Sequence, residues 1–542
     1  MKQVYSDVIA MRRDAFREIA RLAYEDGDLH ELRRAIFNML PGEIPVYGTD
    51  IFRERAIAGE RLRLALGLSV RDAGNLKPLD EDIDLADVSH RVYEAPLVNV
   101  IPFACQACPT KTVKVTDNCR ACIGHPCKNV CPKNAIEWNS TDGAVINDTL
   151  CIRCGRCIDF CPYHAIIKFD RPCAENCGVN AIGSDDLGRA KIDYSKCVSC
   201  GRCITECPFG AISDKSQIYQ LIRSIKAGDH HVAIVAPSFV GQFGPKVSPE
   251  QIFEAIYQLG FTEVMEVGLG ADLTTMQEAE EFVHLVPEKR PFMGTSCCNS
   301  WSLMIHNMFP DIAPYVSETA TPMIETAYYI KQGNPDAKVT FIGPCISKKL
   351  EALRHYVKDY VDFVITFEEL GGILSAKGFT LEGMAELQPR ESIQNIQQAS
   401  KTARGYATGG GVALAVAELI KEKWPEVEVN YEGAEGLANC VKLMKLAKAG
   451  KKDGMLLEGM ACEGGCLGGP GTLTALNVTR RALQKFQSES AFDSPTNNQL
   501  ITEFDPECIS LEKEGKHAEE DHRVEVAAMV NKIAYEKRKQ QE

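Results

Sequence analysis

Three short segments, far apart in the chain, hold the residues best suited to chemistry. Glu458-Gly-Met-Ala-Cys462-Glu-Gly-Gly-Cys466 sets two thiols four residues apart amid five glycines, Gly459, Gly464, Gly465, Gly468 and Gly469. Thr295-Ser296-Cys297-Cys298-Asn299-Ser300-Trp301 carries two adjacent thiols. Gly343-Pro344-Cys345-Ile346-Ser347-Lys348-Lys349, closed by Glu351, adds a fifth thiol beside a lysine. Thiolates are soft ligands suited to iron and sulfide, and glycines let backbone approach a bulky inorganic body with no Cβ in the way. For any one segment alone, a glycine-rich turn with incidental cysteines is the competing reading.

A second concentration of thiols lies upstream, where 16 of the 23 cysteines fall between Cys105 and Cys207. Cys119-x2-Cys122-x4-Cys127-x3-Cys131-Pro132 leads into Ala135-Ile136. Cys151-x2-Cys154-x2-Cys157-x3-Cys161-Pro162 leads into Ala165-Ile166, and Cys197-x2-Cys200-x2-Cys203-x3-Cys207-Pro208 leads into Ala211-Ile212. These are bacterial ferredoxin runs, the first with two extra residues, in which three nearby thiolates cap one cubane and the fourth reaches its neighbour. A zinc ribbon would use two separated pairs and has no need of the Cys-Pro ending. A broken repeat, Cys173-x3-Cys177 before Ala181-Ile182, lacks its first two cysteines, which the orphan pair Cys105-x2-Cys108 could supply. Exchanging last cysteines between paired repeats gives four sets: Cys119, Cys122, Cys127 and Cys161; Cys151, Cys154, Cys157 and Cys131; Cys197, Cys200, Cys203 and Cys177; and, by remainder, Cys105, Cys108, Cys173 and Cys207. If Cys105 and Cys108 serve otherwise, three such [4Fe-4S] clusters are left.

In order and separation, the three segments together resemble the signature segments of the [FeFe]-hydrogenases, which interconvert protons, electrons and molecular hydrogen. The resemblance implies an H-cluster, a [4Fe-4S] cubane bridged to a two-iron subcluster that carries CO, CN and azadithiolate. Its cubane ligands would be Cys298, Cys345, Cys462 and Cys466, the last also bridging to the two-iron unit. Two adjacent cysteines cannot easily both aim at one cubane, which leaves Cys297 as a thiol able to carry a proton near neutral pH. The family assigns that position the first proton transfer. Glu278 and Glu281, three apart on one helix face, resemble the proton exit, and Thr321 before Pro322 takes the place of a hydroxyl on that path. Ala236, Pro237, Ser238, Pro344, Lys348 and Met460 would line the cofactor, with Lys348 and Ser238 as donors to its anionic cyanides. The sequence departs from the family at Gly343, where methionine is usual, at Asn299, where proline is common, and at Gly468-Gly-Pro-Gly471. These departures resemble divergent branches and bear on rate, catalytic bias and oxygen tolerance.

The elements that must position these residues follow from periodicity. Residues 1–99 read as helical, from Val8, Ile9, Phe16, Ile19, Ala20, Leu22 and Ala23 and again over Glu54–Leu68, forming a cap or partner-binding region with no ligand set. Residues 100–219 form the ferredoxin-like iron–sulfur region. Residues 220–475 alternate strand and helix, with strands at His231–Pro237, Val264–Leu269, Val339–Gly343, Val361–Thr366 and Met455–Met460, and a proline-led capping box at Ser248-Pro249-Glu250-Gln251. Such alternation predicts parallel sheet, with ligands beyond the carboxyl ends of the strands. By resemblance, two such lobes close over the metal site. A tail at 476–542 is polar, then helical at Val524–Lys537. The fold class is therefore multidomain α+β, ending in a two-lobed α/β catalytic unit. Gly409-Gly410-Gly411 lacks the lysine of a phosphate loop and reads as a helix start, and Cys440 and Cys508 read as structural.

The 542 residues suffice for three or four domains, and the net charge of −14 argues against nucleic-acid binding. No apolar run reaches the roughly 18 residues of a membrane span. The start shows no secretory segment, Arg12-Arg13 reads as a solvated face, and the expected location is cytoplasmic. The expected partners are ferredoxin or a similar carrier, met by Lys111, Lys114, Arg120, Lys128 and Lys133, and the maturation enzymes that build the two-iron unit. Two other readings stand beside a catalytic hydrogenase. A hydrogen sensor of the same family would tend to lose the Cys297 position and gain a signalling domain. A noncatalytic iron–sulfur relative would keep the cubane ligands alone.

Overall fold

The computed structural model describes residues 6–502 except 27–28, 49, 73, 75–76, 87–93, 140–142, 355–356 and 394–395. The expected helix at 524–537 and Cys508 lie outside the described residues. Near the start, helices form at Asp7–Tyr24, Leu32–Met39 and Ile51–Ala65. The third begins where Asp50 accepts hydrogen bonds from the Phe52 and Arg53 amides. The first packs on helices Ile218–Ala227 and Phe367–Ala376, so its core is continuous with that of the following α/β region. A Cβ on Gly372 would come within 2.7 Å of the Phe16 Cβ, which is why glycine stands there. Arg12 corrects the solvated-face reading: it is buried and pairs with Glu368 at 2.5 Å, and Arg13 reaches the same carboxylate at 3.4 Å. Charge pattern alone could not show an acid more than 350 residues away.

The cysteine-rich region is four small antiparallel pairs joined by one-turn helices. Val98–Val100 pairs with Ile212–Asp214, Thr112–Val115 with Ile166–Phe169, Ile136–Asn139 with Gly143–Ile146, and Ile182–Ser184 with Ala190–Ile192. Beyond it stand two parallel sheets. One runs Glu263–Glu266, His231–Val235, Lys338–Gly343, Phe363–Thr366, and the other Met293–Gly294, Met455–Met460, Asn430–Glu435. The strand expected at Val264–Leu269 stops at Glu266, because the helix Gly268–Leu285 begins two residues later. The capping box at Ser248 forms, with both reciprocal bonds to Gln251.

Residues after 476 do not all leave the fold. Helix Leu476–Ser488 buries Leu483 and Phe486, and the Phe486 carbonyl accepts from Arg404 at 2.6 Å. Among the described residues no helix is long and apolar enough to cross a membrane.

The tightest packing joins the first and third cysteine segments. Trp301 is fully buried, its indole N–H donates to the Thr295 carbonyl at 3.1 Å, and its ring lies where a Cβ on Gly459 would go. Gly459→Ala is therefore expected to cost about 1–3 kcal/mol by overpacking a rigid ring. Chemical denaturation would read that loss, and an unchanged midpoint would refute it.

Candidate active site and iron–sulfur centres

The sixteen upstream cysteines gather in the four sets that the exchanged pairing predicts. Three sets line separate cavities: Cys119, Cys122, Cys127 and Cys161; Cys131, Cys151, Cys154 and Cys157; Cys105, Cys108, Cys173 and Cys207. In the remaining set, Cys177, Cys197 and Cys200 pack against one core cluster; burial and then the neighbouring thiols Cys197 and Cys177 push the Cys200 pKa up to about 12, and burial, then Cys200, Cys197 and Cys177, raise that of Cys203. Among the described residues no three His, Cys, Asp or Glu side chains converge as ligands of a single ion. The thiols instead stand around a space that suits a larger inorganic body.

Backbone conformation explains the repeat. Each Cys-x-x-Cys loop turns through a left-handed residue: Ala107 (φ 47°), Ala121 (49°), Arg153 (59°) and Ser199 (51°). The orphan pair Cys105 and Cys108 thus shares the conformation of the three complete motifs. Asn134, His164, Asn180 and Gly210 are left-handed too, and each aims the next amide at the sulfur four residues back. The donors are Ala135 to Cys131 (3.3 Å), Ala165 to Cys161 (3.4 Å), Ala181 to Cys177 (3.2 Å) and Ala211 to Cys207 (3.3 Å). Amides aimed at sulfur stabilise thiolate and help set cluster potential. Alanine recurs there because its Cβ is buried at every copy.

The three signature segments follow parallel strands. Cys297 and Cys298 come after Met293–Gly294, Cys345 after Lys338–Gly343 and Cys462 after Met455–Met460. Burial pushes Cys345 up to about 11 and Cys466 up to about 12. Cys298 adds to both, and Cys345 and Cys298 add to the rise at Cys462. Four thiols that oppose one another's ionisation can become thiolates together only with positive charge among them, so the donor set fits an iron–sulfur cubane.

The departures from the family pattern have local causes. The Phe341 ring occupies the space a side chain at Gly343 would need. Asn299 donates to the Ser347 carbonyl and hydroxyl, both at 2.9 Å, and accepts from Arg354 at 2.5 Å, tying the first segment to the second. A Cβ on Gly469 would approach Pro344 to 2.7 Å, so Pro344 is where the third segment lies against the second. Ser300 and Ser347 both donate to the Val198 carbonyl at 3.1 Å, fastening both segments to the Cys197–Cys200 loop.

Around the thiols, Met460 packs with Cys297 and Cys298. Burial raises the Cys297 pKa, and Glu458, Cys298, Glu278 and Cys466 add to the rise, so Cys297 lies within electrostatic reach of both the signature thiols and the two buried glutamates. Glu278 is fully buried. One of its oxygens accepts from the Ser296 amide at 2.6 Å, the other has no partner among the described residues, and burial pushes its pKa up to about 8. Glu281 accepts from Arg290 and from the Ser317 hydroxyl, both at 2.5 Å.

Thr321 is elsewhere than expected. Its hydroxyl donates to Glu351 and accepts from Lys348, both at 2.8 Å, so it anchors the lysine and does not touch Glu281. The hydroxyl beside Glu281 is Ser317, placed when its amide bonds the Gly294 carbonyl at 2.7 Å. No local pattern marks it. Lys348 also reaches the Cys297 carbonyl at 3.3 Å and Glu351 at 2.6 Å. Ser238 follows Ala236 and Pro237 at the end of strand His231–Val235 and is fully buried, its hydroxyl without a partner among the described residues. The glycine run begins helix Gly411–Lys423, and its amides are met by the Glu458 carboxylate, with Gly410 and Ala413 donating at 2.8 Å.

Residues 229–470 match the iron only hydrogenase large subunit, C-terminal domain. Residues 190–213 match a 4Fe-4S binding domain, and residues 119–170 match the LdpA Fe-S cluster-binding domain. Iron hydrogenase 1 of Clostridium pasteurianum is 30% identical over 48% of this chain and 53% of its own length. The cytosolic Fe-S cluster assembly factor nar1 of Talaromyces marneffei is 23% identical over 45% of this chain and 57% of its own. The hydrogenase-type domain thus has relatives in two groups, and the chain spans about half the length of these curated relatives. A solved [FeFe]-hydrogenase of Chlamydomonas reinhardtii is 24% identical, covering 53% of this chain and 93% of that one, with a TM-score of 0.42.

Proposed function

We propose that the chain is a hydrogenase that interconverts protons and H2, holding an H-cluster on Cys298, Cys345, Cys462 and Cys466. Electrons would travel through [4Fe-4S] clusters in the upstream cysteine sets to a small acidic carrier such as ferredoxin. The observation that supports this reading is the Cys297 thiol, which packs beside Met460 and Cys298 and lies within electrostatic reach of Cys466 and of the fully buried Glu278. When bound, the H-cluster supplies the iron at which hydrogen is formed or cleaved. The chain's own residues do the rest. The Cys297 thiol holds a proton beside the site, and Glu278, near neutral in affinity, passes it toward Ser317 and Glu281. The unsatisfied Ser238 hydroxyl is a donor suited to an anionic cyanide, and the Lys348 ammonium would serve another by exchanging one of its three present partners. Lys111, Lys114, Arg120, Lys128 and Lys133 are all exposed, which suits an acidic carrier.

A second reading, a noncatalytic iron–sulfur protein, is favoured by the assembly-factor relatives. It would keep the cubane ligands, leave Cys297 and Ser238 without a task, and reduce Lys348 to its bonds with Thr321, Glu351 and the Cys297 carbonyl. An infrared spectrum of protein matured with the two-iron unit separates the two. Metal-bound carbonyl and cyanide bands are expected. A matured sample that contains iron yet shows no such bands would favour the second reading.

A further inference from the structure

The site of Cys105, Cys108, Cys173 and Cys207 differs from its counterparts in the charge around it. Arg171 lines its cavity and is 3% exposed, yet its terminal nitrogens donate only to the carbonyls of Gly183, Cys108 and Gly188, each at 2.8 Å, and its Nε has no partner among the described residues. Arg61 arrives from the helix Ile51–Ala65 and is also 3% exposed. It donates to the carbonyl of Gly210, three residues past Cys207, while its Nε and Nη1 are buried without partners among the described residues. Burial lowers the Arg61 pKa to about 10 and the neighbouring Arg12 lowers it further, while the Cys207 sulfur, then Glu368 and Asp214, push it back up.

Neither arginine has a carboxylate within ion-pair distance among the described residues. Arg12, Lys349 and Arg404, equally buried, each have one or two. A buried cation without a counter-ion is costly. Arg171 lines the four-thiolate site, and Arg61, bonded beside it at Gly210, feels Cys207 ahead of the more distant Glu368 and Asp214; the negative charge of that site would grow by one electron on reduction. The other cavities have cations at their rims, Arg120 at one and Lys133 and Arg156 at another, but these are exposed and screened by water. By the Cys177 set, Arg202 is paired with Glu206 and Glu463.

We propose that Arg61 and Arg171 are the built-in counter-charge of a cluster on Cys105, Cys108, Cys173 and Cys207, and that they hold its reduction potential above those of the other upstream clusters. This rests on the reading of that cysteine set as a cluster site. The step concerned is a one-electron reduction, the electron coming from an external reductant such as dithionite, with no bond made or broken. Because Cys173 lies within electrostatic reach of Cys203, the resting electron would sit beside the set fastened to the signature segments. A two-electron reaction fed one electron at a time needs such a store. The inference also gives the helix Ile51–Ala65 a redox task.

The test is a dithionite titration of the reconstituted full chain, followed by electron paramagnetic resonance. In Arg61→Gln and in Arg171→Gln one cluster's midpoint should move to more negative potential, further in the double variant, while the others stay. Arg61→Lys should restore most of the shift. An unmoved midpoint at unchanged iron content, or equal shifts of all clusters, would overturn the proposal. If Arg171→Gln does not fold, the Arg61 pair decides alone. Replacing Cys105 and Cys108 by alanine should remove one cluster's iron and the same signal. If iron content holds instead, it is the cluster reading of this set that fails, not the charge argument.

Discussion

Cys297→Ala is expected to lower hydrogen turnover by about two to four orders of magnitude, the usual worth of a positioned proton-transfer group. It should leave the cubane ligands untouched, so the infrared bands of matured protein should persist at similar intensity. Glu278 would still be able to hold a proton near neutrality, but would lie one relay too far from the site. Dye-linked hydrogen evolution, measured beside the infrared spectrum, gives the answer. Turnover within tenfold of the parent would show that protons enter by another way.

Lys349→Met is expected to destabilise the fold by about 3–5 kcal/mol, the loss typical of breaking a buried ion pair from one side. Lys349 is fully buried. Its ammonium lies 2.8 Å from Asp214, from Glu369 and from the Lys215 carbonyl. It therefore joins the signature segment after Cys345 to the last strand of the cysteine-rich region and to helix Phe367–Ala376. Without it two buried carboxylates face each other, and burial already raises Glu369. In the variant the folded-state affinity of Glu369 for its proton, no longer opposed by Lys349, would exceed that of the unfolded chain still further. Stability would then fall as pH rises and return as pH is lowered through the raised values. Urea titrations at pH 5 and pH 8 should show a larger deficit at pH 8, and equal deficits would refute the charge argument.

How much of this could be read from sequence depended on whether a residue's role is local. The cysteine sets were legible because a cubane dictates spacing, and the spacing recurs in Ala107, Ala121, Arg153 and Ser199 as one backbone turn. Strands rich in β-branched residues were legible as well. Asn430–Glu435 was not, being a polar edge strand whose Glu435 accepts from the Gly464 amide and whose Glu432 pairs with Lys452. Met293–Gly294 is too short to show a period. Arg12, Thr321 and Ser317 were misread or missed because each is defined by a partner that the fold brings from far along the chain. Asn299 and Gly343 were visible as departures, yet their reasons, Ser347 and Phe341, are contacts only the folded chain makes.

The Val198 carbonyl accepts two hydroxyls, Ser300 and Ser347, one from each of two loops that approach the thiol site from different sheets. On the proposed reading, with clusters seated on either side, that oxygen would set the gap an electron must tunnel. Tunnelling rates fall exponentially with distance, so breathing of either loop alone would otherwise be felt as fluctuating current. One acceptor shared by both loops would tie their movement to that of the donor loop and so hold the coupling steady.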